Sequence, residues 1–202
     1  MLSLADAEAV LEFWFGELDA SGMADAEHEK RWFQGGASFD AEIRQRFLAV
    51  HEAVCEGQAD EWLSSARGRL AQIIVLDQFS RNMFRGSPRM FECDRRGIEL
   101  AKDAIARGDD KQVRFAERMF VYMPLMHSEN LADQERCVAL FEAFRDEVNG
   151  AHRERVASAL MFAERHREII RRFGRFPHRN STLERTSTAA ELNFLMEPNS
   201  SF

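Results

Sequence analysis

Oxyanion binding and proton transfer both need polar groups held at fixed spacing and partly out of water, and three stretches of this chain supply them. In FGRFPHRNSTLERTST, residues 173–188, Arg175, His178, Arg179 and Asn180 crowd around Gly174 and Pro177 at the end of a predicted helix. Guanidinium forks, an amide and an imidazole near its titration point form a donor set for a carboxylate or a multiply charged oxyanion. In RMFVYMPLMHSENLADQE, residues 118–135, Pro124 lacks a backbone donor and predicts a break or kink in a helix ending near Tyr122. His127, Ser128 and Glu129 then fall on a connection, which makes His127 a candidate acid/base, while Ser128 or Asn130 is placed to cap the next helix.

The third stretch is RLAQIIVLDQFSRNMFRG, residues 69–86, where Leu70, Ile73, Ile74 and Asp77 share one helical face and Arg81 and Arg85 continue it. The segment is apolar nearly all round, which predicts burial, and Asp77 is buried with it. By the same projection Asp94 lies among Met90, Phe91 and Ile98, Gln134 lies with Val138 and Phe141, and His152 and His166 lie with Val156, Ala163 and Ile170. A buried carboxylate is costly without donors, so Arg81, Arg85, Arg175 and Arg179 are the expected suppliers for Asp77 and Asp94. The candidate ligand-binding set is therefore Asp77, Arg81, Arg85, Asp94, Glu129, His166, Arg175, His178, Arg179 and Asn180.

Several chemistries are absent by motif: there is no HExxH, EF-hand loop, GxxxxGK, GxGxxG or GxSxG. No ligand spacing among His127, His166 and His178 supports a metal, and neither a metal nor a cofactor is expected. Cys55, Cys93 and Cys137 are odd in number and widely spaced, so no disulfide framework or zinc knuckle is predicted and a reducing cytoplasm fits. The net charge of −7 argues against nucleic acid as a partner. No apolar run approaches a membrane span, and the acidic N-terminus is unlike a signal peptide, so no membrane partner is expected. The aromatic runs EFWFGE and KRWFQ fit core packing better than a ligand cage.

The elements that must position these residues are helices. Ser3 predicts a helix to about Leu18, Ser38 one that stops at Gly57, and ADEWLSSA a short one. Further helices are predicted over about 69–84, from Ser87-Pro88 to Gly108, and over 112–122, 131–148 and 151–173. Thr188 with Glu191 is a capping box for a last helix, AAELNFL, and DASGMADAEHEK reads as a loop. Short connections predict an all-α single domain over residues 1–202, built of stacked antiparallel helical hairpins.

The runs VLEFWFGE, KRWFQGGASFDAEIRQRF, GRLAQIIVLDQFSRNMFRG, ERMFVYMPLMHSENLADQE and FGRFPHRNSTLERTSTAAELNFL, in that order, closely resemble the bacterial domain-of-unknown-function family number 924. The resemblance spans essentially the whole chain and implies a tetratricopeptide-like, all-α superhelix, with no established catalytic or binding residue to carry over. Ser80 stands where the family commonly has proline, which implies that the helix through Asp77 runs on. Glu184 stands where glycine is common, which bears on the local geometry of the loop.

The expectation for function is a cytoplasmic binding protein whose concavity, lined by Arg, Asp and His, takes a small anionic molecule or an acidic peptide. One alternative is a hydrolase or transferase with His127 as acid/base and Arg81, Arg175 and Arg179 holding substrate charge. The other is a polar core that satisfies itself and takes no ligand. Oligomeric state is not legible in the sequence.

Overall fold

The computed structural model describes residues 2–198 and 200, and all regular structure among them is helical. The chain divides into two compact units, one running to Arg85 and including Arg89–Pro124, the other comprising Gly86–Pro88 and the chain from Leu125 onward.

In the first unit α1 (Leu4–Phe15) starts where Ser3 predicts, with the Asp6 carboxylate accepting from the Ser3 amide at 2.8 Å. It ends earlier than expected, at Gly16, whose φ of 62° favours glycine. The segment read as a loop is half helix. Asp25 accepts from the amides of Glu27 and His28 and so opens α2 (Ala26–Gln34), a polar helix whose buried residue, Trp32, lies beyond the stretch read as a loop. The next helix, α3 (Gly36–Cys55), begins ahead of Ser38, so that serine is not its cap.

A 3-10 turn at Asp60–Ser64 leads into α4 (Ala66–Ile73), which continues through a π-helical turn (Ile74–Phe79) into α5 (Ser80–Met83). Every residue from Gly68 to Ser80 is buried, as the all-round apolar pattern predicts. Gly68 permits close approach, because a Cβ there would lie 2.0 Å from the Trp62 carbonyl oxygen. Around this rod pack Phe13, Trp14, Phe39 and Phe47, with the Phe47 and Phe79 rings 5.0 Å apart, so these aromatics are core.

The expected helix from Ser87 to Gly108 divides into a 3-10 turn (Pro88–Phe91) and α6 (Asp94–Arg107), which closes on left-handed Gly108. Pro124 does not end the helix before it: α7 (Phe115–Met126) runs through it. Gln134 explains how the end is satisfied, since its amide nitrogen donates to the carbonyls of Met126 at 2.6 Å and Ser128 at 2.7 Å.

The second unit is built on the antiparallel pair α8 (Leu131–Glu147) and α9 (Gly150–Phe173), joined by Val148 and Asn149. Asn130 caps α8 by accepting from the Ala132 amide. The chain reverses after α9 at Gly174, φ 70°, and passes a 3-10 turn (Pro177–Arg179) to α10 (Ala189–Leu195). The predicted capping box of Thr188 and Glu191 is present. Ile169, Ile170, Phe173, Phe176 and Phe194 form the apolar contact that holds this loop and helix together.

Candidate functional site

The predicted polar residues gather at two places, one in each unit. In the first, Arg81 grips buried Asp77 and half-buried Asp94: its Nη1 lies 3.0 Å from the Asp77 carboxylate and 2.9 Å from that of Asp94, and Nη2 adds a second bond to Asp94 at 3.2 Å. Asp77 is only 3% exposed and also accepts from the Gln78 amide at 2.6 Å. The expectation that Arg85 and Arg175 serve these acids is corrected. Arg85 sits on the exposed side of the rod's end and forks onto Asp40 at 2.7 and 3.0 Å. Arg175 forks onto Glu191 at 2.6 and 2.9 Å and also donates to the Thr186 carbonyl. These Arg175 bonds, together with the Thr188 amide, pull the Glu191 carboxyl down to about 2.

In the second unit the groups assemble about the fully buried Phe176 ring, which Gly174 and Pro177 bring into place. The Arg179 guanidinium lies over that ring at 4.4 Å, and its Nη2 donates to the His127 carbonyl at 2.9 Å. His166, on α9, stands edge-on to the ring at 5.5 Å, and the His178 ring lies 5.6 Å away. His127, on the connection before α8, is 6.3 Å from His166. His166 and Arg179 are buried, whereas His127 and His178 are partly exposed.

Glu129 ties this group to the loop. It accepts from the Phe176 amide at 2.7 Å and from both arms of Arg185 at 2.7 and 3.0 Å. Burial alone would raise its pKa, but the Arg185 and Phe176 bonds prevail and hold it below the usual carboxylate range. Arg185 also donates to Asn180 Oδ1 at 3.0 Å and to the Phe176 carbonyl at 3.1 Å, while Asn180 donates to Ser187 Oγ.

Two histidines are strongly perturbed. Burial, then the charges of His127, Arg179 and His178, push His166 down to about 3, against a hydrogen bond to the Phe162 carbonyl at 2.8 Å that works the other way. Burial, then Arg179, push His178 down to about 4, with Glu129 opposing.

A family model of bacterial proteins of unknown function, DUF924, matches residues 10–199. The chain belongs to that family. The solved structure of a protein of unknown function, ATU0120, from Agrobacterium tumefaciens is similar to it, with 35% identity, 96% of this chain and 98% of that chain covered, and a TM-score of 0.79. No curated protein matches the chain. This places the all-α fold in DUF924 and leaves its chemistry to be read from side chains.

The sequence reading missed Arg185 and Phe176, which organise the second group, and the buried acids Asp109, Asp110 and Glu117 of the first unit. Asp109 forks onto Arg69, Asp110 accepts from the Tyr122 hydroxyl at 2.6 Å, and Glu117 meets Arg67 and the Arg114 amide. These acids lie at helix ends, where projection onto an apolar stripe carries no signal. Cys55 and Cys93 correct the cysteine expectation: they are bonded to one another, because the end of α3 meets the N-cap of α6 with a Cα–Cα distance of 6.2 Å. Among the described residues no helix is long and apolar enough to cross a membrane.

Proposed function

We propose that this DUF924 chain is a binding protein for a small, multiply charged oxyanion, held by His127, His178 and Arg179 over the Phe176 ring. The observation that supports it is the gathering of His166, His178 and Arg179 around one buried ring, with His127 6.3 Å from His166 and with His127 and His178 partly exposed. Arg179 gives the cluster positive potential, its charge opposing protonation of both His166 and His178. An oxyanion relieves that opposition and takes hydrogen bonds from donors already in place. Glu129 and Arg185 then act as the brace that fixes the loop, and Arg175 with Glu191 as a second brace. The α8–α9 pair is the kind of unit from which tetratricopeptide-like arrays are built, and a cytoplasmic setting fits such a protein.

Binding to the folded state alone raises thermal stability, by about 2.7 kcal/mol at a ligand concentration near one hundred times Kd. Phosphate, sulfate and citrate should each be tested at pH 6 and pH 8 at constant ionic strength. At least one is expected to raise Tm specifically, and at both pH values, because the Arg179 charge does not change between them while His166 and His178, pushed down to about 3 and about 4, stay neutral at both. Arg179→Gln and His178→Gln should lose that gain. A flat response to all three in wild type sinks the reading, and a response only to poly-glutamate peptides would transfer it to an acidic peptide.

A further inference from the structure

Outside that cluster, in the first unit, His51, Cys55 and Cys93 bring one imidazole and two sulfurs within 4.8 Å of one another. His51 and Cys55 sit one turn apart on α3, the i, i+4 spacing at which two side chains on one helical face converge on a single ion. Cys93 comes from the N-cap of α6. We propose that these three residues bind one zinc ion when the cysteines are reduced, and that forming the Cys55–Cys93 disulfide releases it.

The hydrogen bonds around His51 prepare it as a ligand. Its Nε2 is 2.8 Å from Ser80 Oγ, and that hydroxyl donates in turn to the Val75 carbonyl at 3.4 Å. The hydroxyl proton is thereby used, so Nε2 carries the imidazole proton and donates it to Ser80. Nδ1 keeps its lone pair and lies 3.9 Å from Cys55 Sγ, against 3.6 Å for Nε2, so a small turn of the ring presents Nδ1 to the sulfur side. Tetrahedral zinc places a thiolate sulfur and an imidazole nitrogen roughly 3.5 Å apart, and two sulfurs roughly 3.8 Å apart. The first distance is nearly met already. The second needs only side-chain rotation once the sulfur–sulfur bond is reduced. The Nε2–Ser80 bond is the outer contact that a ligating histidine commonly uses to fix its tautomer. With three protein ligands, water takes the fourth position.

The surroundings favour thiolates. Arg96 donates to the Cys55 carbonyl at 3.2 Å, and Arg89 lies over Phe84 at 4.0 Å, with the His51 ring 5.1 Å from the same phenylalanine. The Arg96 guanidinium, held at the Cys55 backbone, favours thiolate over thiol. Two thiolates neutralise the charge of Zn²⁺, and a neutral imidazole leaves that balance intact. Oxidation by hydrogen peroxide removes two electrons from the two thiolates, forms the sulfur–sulfur bond and breaks the oxygen–oxygen bond. Two protons are taken up, two waters leave, and zinc is left without its sulfur ligands.

The test is cobalt binding to the full chain, reduced with a phosphine and freed of metal. One equivalent of Co²⁺ should give thiolate-to-cobalt charge-transfer absorption in the near ultraviolet, and Zn²⁺ should displace it. Peroxide-treated protein should give no such band. Cys93→Ser puts serine at a helix N-cap, where it is favoured, so the variant is expected to fold and to lose at least tenfold in zinc affinity along with one thiolate's share of the band. Cys55→Ser should do the same, and His51→Asn should weaken zinc at least tenfold while keeping the thiolate band. Absence of the band in reduced wild type, its persistence after oxidation, or unchanged zinc affinity in both serine variants would overturn the proposal.

Discussion

The two polar clusters differ in how charge is arranged. Around Asp77 and Asp94 a single guanidinium bridges two carboxylates within one continuous helical rod and the helix beside it. Around Phe176, imidazoles and Arg179 share a ring, and the Glu129–Arg185 pair braces the loop beneath them. In the first, acid and base are matched at hydrogen-bond distance, and removing one member strands the others. In the second, burial and then neighbouring positive charge suppress protonation of His166 and His178, so its state responds to pH. The first arrangement is architecture, and the second is the one to which the proposed anion binding belongs.

The sharpest break of that comparison is Asp77→Ala, expected to destabilise by about 3–5 kcal/mol because it leaves Arg81 buried with part of its counter-charge gone. Denaturant midpoints measure this. A loss under about 1 kcal/mol would place the triad with ordinary surface pairs.

The next test is pH. His166 and His178 have folded-state pKa values of about 3 and about 4, below the ordinary 6.5, so the unfolded chain binds their protons more readily. Their contribution to stability is therefore full above about pH 6.5 and is lost as pH falls toward those folded values, at up to roughly 1.4 kcal/mol per pH unit for each histidine. Buried His51, lowered to about 4 by burial and then by Arg89, adds a loss of the same sign. Stability curves of wild type and His166→Gln between pH 7 and pH 4 should converge as pH falls. Parallel curves would remove His166 from the titrating set.

A smaller effect is expected from Glu129→Gln, about 1–2 kcal/mol, since it weakens two charged hydrogen bonds at a partly exposed pair. It should also lower the His178 pKa further, because the Glu129 charge opposes that shift, and NMR titration of the ring reports the direction. Arg85→Ala should cost well under about 1 kcal/mol in a chemical melt, its fork onto Asp40 being exposed on the arginine side. Smallest is Glu184→Gly. Among the described residues Glu184 alone is a non-glycine with positive φ, 53°, so glycine relieves strain there and should raise stability by at most about 1 kcal/mol.

Several helix ends were legible because capping is local: Asp6 accepts from the Ser3 amide, Asn130 from that of Ala132 and Thr188 from that of Glu191, each within three residues. The burial of Asp77, Gln134 and His166 was also legible, because an apolar stripe constrains which face turns inward whatever it meets. The helix start at Ala26 was not, since a polar stretch offers no stripe. Nor was the end of α7 beyond Pro124, at Met126, where Gln134 arrives from the next helix to take the carbonyls of Leu125 and Met126.

Partners are the part that only tertiary structure decided. Asp77 and Arg81 are a turn apart and could be matched by spacing, but Arg185 reaches Glu129 across 56 positions and Cys55 meets Cys93 across 38. An arginine's type and face say that it needs an acceptor. Which acceptor it finds is set by how helices pack, and packing is decided by the summed shape of their apolar faces rather than by any pair of polar residues.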